Sequence, residues 1–100
     1  MKRFQQDFAA QLPARLQEAR QLLEACREAP ADDDRLRALH RSVHKLAGTA
    51  GTFGMPEVSQ GARAIEDELD LLLERSGRDQ AAFDAAGGML DALAQRTRAA

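Results

Sequence analysis

Apolar residues recur along this chain at steps of three and four. Between Phe4 and Ala29 they stand at Phe4, Phe8, Leu12, Leu16, Ala19 and Leu23, with Gln, Arg and Glu in between, as in a helix that buries one face. Pro13 takes one N–H out of that ladder and predicts a kink near Leu12, or a short helix handing over to a longer one at Pro13. Pro30 stops the segment. Ala31 to Asp34 then reads as a turn that also starts a helix, because Asp caps free N–H groups and suits the positive end of the helix dipole. Capping also accounts for the three acids without a metal, since adjacent side chains do not converge on one cation without a loop around it.

A second helix is predicted from about Asp34 to Phe53. Leu36, Leu39, Val43, Leu46, Ala50 and Phe53 share one arc about 100° wide, the core face. His40, His44, Ala47 and Gly51 cluster roughly 90° from its centre, with Arg37, Arg41, Lys45 and Gly48 just beyond them. Gly54 suits the end of that helix and Pro56-Glu57 the first turn of a third, which runs to about Ser76. The third helix buries Val58, Ala62, Ile65, Leu69 and Leu72, leaving Glu66, Asp67, Glu68, Asp70 and Glu74 as a solvated face. Leu71 and Leu73 widen its apolar stripe, for a second neighbour or a small exposed patch. After a turn at Ser76 to Asp79, a last helix carries Ala82, Phe83, Ala86, Met89, Leu90 and Leu93. Gly87-Gly88 weakens it, through close packing or a local bend, and its tail from Arg96 is expected to fray.

Composition supports this reading. One hundred residues make one domain, 1–100, with a single modest core. Apolar residues are 44% of the chain, mostly Ala and Leu, with no Trp or Tyr, which favours an all-α bundle of antiparallel helices over a sheet. A net charge of −2 and a pI near 5.6 argue against nucleic acid or an anionic membrane as partner and leave a protein. Cys26 has no second cysteine to pair with, and two His with one Cys do not build a zinc site on Cys/His spacing. Met1-Lys2-Arg3 leads into Gln5, Gln6 and Asp7, unlike a signal peptide, and no window approaches a membrane span. A cytoplasmic monomer is expected, with Cys26 as a small packing residue.

Chemistry concentrates at the histidines. Glycine inside a helix costs roughly 1 kcal/mol relative to alanine, so Gly48 and Gly51 require a reason, and close approach of another surface is one. A histidine there has three readings: a half-buried side chain satisfied locally, a metal ligand, or a nucleophile. His40 fits the first. His40 and His44 at i,i+4 could share a cation, but Arg41 follows His40 where a helix-borne base would stand, and Arg41 and Lys45 repel a metal. As a nucleophile, a neutral imidazole attacks phosphorus near pH 7 and forms an N–P bond labile enough to be passed on. That role needs exposure, small neighbours and nearby positive charge. His44 has Ala47, Gly48 and Gly51 beside it and Arg41 and Lys45 on the adjacent stripe.

His44-Lys45-Leu46-Ala47-Gly48-Thr49-Ala50-Gly51-Thr52-Phe53-Gly54 resembles the signature of histidine-containing phosphotransfer (HPt) domains. The layout is similar too, with the histidine midway along the second helix and Pro-Glu opening the next. The resemblance implies a four-helix bundle whose His44 takes a phosphoryl group from an aspartyl phosphate on a receiver domain and passes it to another. It implies a carrier with no ATP site and no cofactor of its own, Mg²⁺ belonging to the receiver. Many members of the family carry Lys three residues after the His, where this chain has Ala47. Lys45, Arg41 or a cation of the partner then takes that part, and Gln60 and Arg63 on the facing helix are further candidates to line the site. The rival readings are a non-catalytic helical interaction module and a metal-binding bundle on His40 and His44.

Overall fold

The computed structural model describes residues 3–99, and its side chains from Gln6 to Thr97. Four α-helices account for nearly all of it: α1 (Arg3–Glu28), α2 (Asp33–Thr52), α3 (Pro56–Glu74) and α4 (Asp84–Ala99), with a 3₁₀ turn at Gln80–Phe83 before α4. No strand occurs among the described residues. Each helix packs on its two neighbours in a closed ring, α1 on α2 and α4, α3 on α2 and α4. Cross-helix partners run in opposite directions: His40 meets Asp70 while His44 meets Glu66, and Arg20 meets Asp91 while Arg27 meets Asp84. The bundle is therefore antiparallel, as the short turns require.

The core contains the predicted apolar positions, except that Phe53, Ala82 and Met89 are only partly buried against it. Phe8, Leu12, Leu16, Ala19, Leu23 and Cys26 of α1 close on Leu36, Leu39, Val43, Leu46 and Ala50 of α2. Val58, Ala62, Ile65, Leu69 and Leu72 of α3, with Phe83, Ala86, Leu90 and Leu93, complete it. Phe4 lies outside the described side chains. Burial pushes the Cys26 thiol up to about 11, against the opposing pull of Arg78 and Arg35, so Cys26 is a packing residue and not a nucleophile. Leu73 packs against the core, whereas Leu71 is left exposed.

Two local expectations change. α1 runs through Pro13 without a separate short helix; Pro13 is on the solvent side, and Leu12 and Leu16 seat both halves on the same core. The last helix opens as a 3₁₀ turn, capped by the Asp79 carboxylate on the Ala82 N–H at 3.1 Å, and turns α-helical only at Asp84. It then runs to Ala99 among the described residues. Gly87 is a close-packing position: a Cβ there would meet an Arg27 guanidinium nitrogen at 2.9 Å and Leu23 at 3.3 Å.

The α2 caps place the site. Asp32 is the N-cap, its carboxylate accepting from the N–H groups of Asp34 (2.9 Å) and Arg35 (3.3 Å). At the other end Gly54, at φ 72°, reverses the chain while its N–H and that of Met55 donate back to Gly51 (3.3 Å) and Ala50 (2.8 Å), the double bond of a Schellman ending. Pro56 then starts α3 at once.

The opposite end of the bundle is tied by a residue the periodicity did not single out. Arg78, in the turn before α4, has a side chain only 3% exposed. It donates to the carbonyls of Pro30 (2.9 Å), Leu72 (3.1 Å) and Arg75 (3.0 Å), and to the Asp33 carboxylate (2.6 Å). Asp33, read from sequence as part of a capping run, is thus half of an ion pair between two turns. Replacing Arg78 by Ala strands those acceptors and is expected to cost about 2–4 kcal/mol in urea denaturation. The hydrogen bond from Arg78 holds the Asp33 carboxyl below its ordinary value of 3.8. Its contribution is therefore present above that value and lost as pH falls through the lowered one. Asp33→Asn should accordingly remove part of the acid dependence of stability below about pH 4, measured as thermal midpoints of the two proteins over pH 2 to 6.

Candidate functional site

His40 and His44 lie one turn apart on α2, and Glu66 and Asp70 one turn apart on α3, so the antiparallel packing sets the two pairs face to face. The His44 side chain is 71% exposed, and its Nδ1 is 2.6 Å from Glu66 Oε2. A carboxylate only accepts, so in the neutral ring this contact favours the hydrogen on Nδ1 and the lone pair on Nε2. Nε2 has no protein partner among the described residues. His40 is half-buried, its Nε2 2.7 Å from Asp70 Oδ1 and 3.8 Å from Glu66 Oε2. The two rings are nearly parallel, with centroids 6.4 Å apart and planes 7° from each other.

Beside the His44 ring the α2 surface dips into a shallow hollow bordered by His44, Lys45, Gly48, Thr49, Thr52 and Phe53. Gly48 makes the dip: a Cβ there would meet nothing within 4 Å. Thr52 donates its hydroxyl to the Gly48 carbonyl at 3.0 Å, so the hollow's rim is anchored to the helix itself. Phe53 packs its ring against Phe8 at 5.7 Å, as a core residue, and borders the hollow with its edge of the surface. Arg41 and Lys45 are exposed, and neither forms an ion pair among the described residues. Both guanidinium and ammonium are available to an incoming anion.

The structure separates the other predicted site residues. Gly51 is exposed beside α3, where an added Cβ would touch Ser59 Oγ at 3.4 Å. Ala47, expected on the open face, is 3% exposed. Its carbonyl accepts from the Ser59 hydroxyl at 2.9 Å, so its small side chain serves the approach of α3 and not that of a partner. Arg63 is turned the same way, its Nε donating to Ser59 Oγ at 3.4 Å. Gln60 is exposed with no hydrogen bond to the histidines. Neither Gln60 nor Arg63 is joined to His44 by a hydrogen bond or ion pair.

Glu66 and Asp70 correct the reading of the α3 acids as a solvated face. The Glu66 side chain is only 18% exposed and is turned onto His44; Asp70 is more open yet bonded to His40. Their i,i+4 spacing matches that of His40 and His44 across a tight hairpin, a signal that becomes legible once the turn at Gly54 is known. Among the described residues no group of three or more His, Cys, Asp or Glu is arranged to hold a metal ion.

A family model described as the Hpt domain matches residues 3–99. No curated protein and no solved structure matches the sequence significantly. No helix among the described residues is long and apolar enough to cross a membrane.

If Gly48 is kept for access and not for packing, Gly48→Ala raises stability by about 1 kcal/mol, the intrinsic helix preference for alanine. Gly51→Ala gains less, because its Cβ meets Ser59 Oγ. Urea denaturation of the two variants checks this, and a loss at Gly48 would mean that the hollow is filled in solution.

Proposed function

The chain belongs to the Hpt domain family, and we propose that its His44 accepts a phosphoryl group from the aspartyl phosphate of a receiver domain and passes it to another. Hpt domains are phosphocarrier modules of two-component phosphorelays and interact with receiver domains. The observation that carries the assignment to His44 is the 2.6 Å contact of its Nδ1 with Glu66, which directs the free lone pair at solvent. His40 is the less open ring, its side chain 23% exposed against 71% for His44, with Asp70 on its Nε2.

In the proposed step, Nε2 attacks phosphorus in line as the bond from phosphorus to the aspartyl oxygen breaks, and the aspartate leaves as a carboxylate. The ring gains positive charge as the N–P bond forms, with its proton still on Nδ1. Glu66 stabilises that charge through the bond it already makes, as a carboxylate does for an imidazole acting as a base. Arg41 and Lys45 face the oxygens of the incoming dianion, in the place of the cation that Ala47 does not supply. The hollow over Gly48 admits the receiver's surface close to Nε2. Mg²⁺ belongs to the receiver, so this domain brings a nucleophile, the hydrogen-bond acceptor that orients it, and cations, but no cofactor of its own. The second transfer is the first reversed, with a water-free encounter each time. A cytoplasmic monomer that meets its partners transiently suits this traffic.

Receiver domains charged by a small phosphodonor and Mg²⁺ test the assignment. Acid-labile, base-stable label should appear on the wild type and be absent from His44→Gln. Glu66→Gln, which keeps the shape but weakens the hold on Nδ1, should slow labelling about 10–100-fold, the range for loss of an orienting partner of histidine. Binding of receivers without label on any protein would favour a non-catalytic interaction module instead.

A further inference from the structure

Glu66 has to be held in place for His44 to present Nε2. A glutamate side chain has three rotatable bonds, and fixing them costs up to about 2 kcal/mol of conformational freedom. Among the described residues nothing from α3 secures the Glu66 carboxylate, whose partners are the two imidazoles of α2. Oε2 lies between them, 2.6 Å from Nδ1 of His44 and 3.8 Å from Nε2 of His40. The second distance is too long for a hydrogen bond but short for attraction between an N–H dipole, or an imidazolium, and a carboxylate. His40 is in turn fixed by Asp70 at 2.7 Å, and its ring lies parallel to that of His44 at 6.4 Å. The result is a row, Asp70, His40, Glu66, His44, in which only the last ring is open: the side chains are 54%, 23%, 18% and 71% exposed in that order.

We infer that His40 is a positioning residue for the phosphotransfer proposed above: anchored by Asp70, it keeps Glu66 Oε2 against Nδ1 of His44 and so keeps the reactive Nε2 free of hydrogen. The inference rests on that proposal for its purpose, but its physical content stands apart from it. Without an acceptor fixed at Nδ1, a neutral imidazole distributes its hydrogen over both nitrogens, and each molecule with Nε2–H has lost its nucleophile. Glu66, freed of His40, can turn towards solvent or towards the exposed cations of the α2 stripe. Asp70 matters only through His40, being too far along α3 to meet His44. A half-buried histidine that merely fills space between α2 and α3 would have neither effect.

The ring nitrogens of His44 report the outcome directly. In ¹⁵N–¹H correlation spectra of histidine-labelled protein, wild-type His44 is expected in the Nδ1–H form. In His40→Gln, which still offers Asp70 an N–H but has no ring and no charge, the Nε2–H form of His44 should rise several-fold. Asp70→Asn should move it in the same direction, and because Asp70 is largely exposed this second variant decides the question if His40→Gln does not fold. With a charged receiver domain as phosphodonor, both variants should slow transfer at saturating donor about tenfold, near the lower bound for losing an orienting partner, while the donor concentration for half-saturation stays unchanged. An unaltered His44 tautomer in folded variants would overturn the inference, whatever the transfer rate. Absence of label on wild-type His44 would overturn the phosphocarrier proposal instead, leaving the tautomer measurement to judge the row by itself.

Discussion

The hydrogen bond between His44 and Glu66 joins the two most extensively packed helices of the bundle, and the proposed chemistry depends on its register. That register is set a dozen residues away, where Gly54 adopts a left-handed conformation and the chain returns through Pro56 with no slack. One residue more or less in this turn would rotate α3 by about 100° relative to α2. Glu66 would then leave the histidine, and Ile65 or Asp67 would take its place. The end of a helix thus decides the tautomer of a side chain two and a half turns earlier.

Charges are divided between the two sides of His44 according to what each must do. The anions Glu66 and Asp70 are spent inside the protein, against ring nitrogens, where they fix geometry. The cations Arg41 and Lys45 stand on the outer side without ion pairs among the described residues, and their interaction energy is still to be realised. A site for a dianion requires this division, because a cation already neutralised by a neighbouring carboxylate offers an incoming phosphoryl group little. Small residues divide similarly. Ala47 lets α3 approach α2 closely enough for Ser59 to reach its carbonyl, while Gly48 leaves space for something that is not part of the chain.

Rigidity comes from the end of the bundle remote from the Gly54 turn. Arg78 draws the α1–α2 turn, the end of α3 and the approach to α4 together through one buried guanidinium. Arg35 adds a bond from α2 to the Ala25 carbonyl at 2.8 Å, and Arg27 bonds the Asp84 carboxylate at the start of α4 at 2.8 Å. With that end tied and the other closed by the Gly54 turn, the middle of the α2–α3 pair is held between two fixed points. The proposed nucleophile, His44, can there be largely exposed and still well oriented, since its orientation depends on helix packing and not on its own burial.

The sequence by itself determined the four helices, because a buried face repeats every three to four residues whatever it packs against, and Asp32, Gly54 and Pro56 mark ends by local stereochemistry. It also singled out His44 as a candidate, whose context of glycines and cations is readable along one helix. What tertiary structure decided are the relations between helices. Glu66 and Asp70 look like any acids on a solvated face until α3 is set antiparallel to α2 at a definite register. Arg78 looks like a turn residue until two distant turns close around it. Ala47 and Gly48 are neighbours of similar size, and a rotation of 100° is all that separates a packing contact from an open hollow. Periodicity records which face of a helix is apolar, but the partner of a polar side chain is fixed by a second chain segment, whose position no local pattern contains.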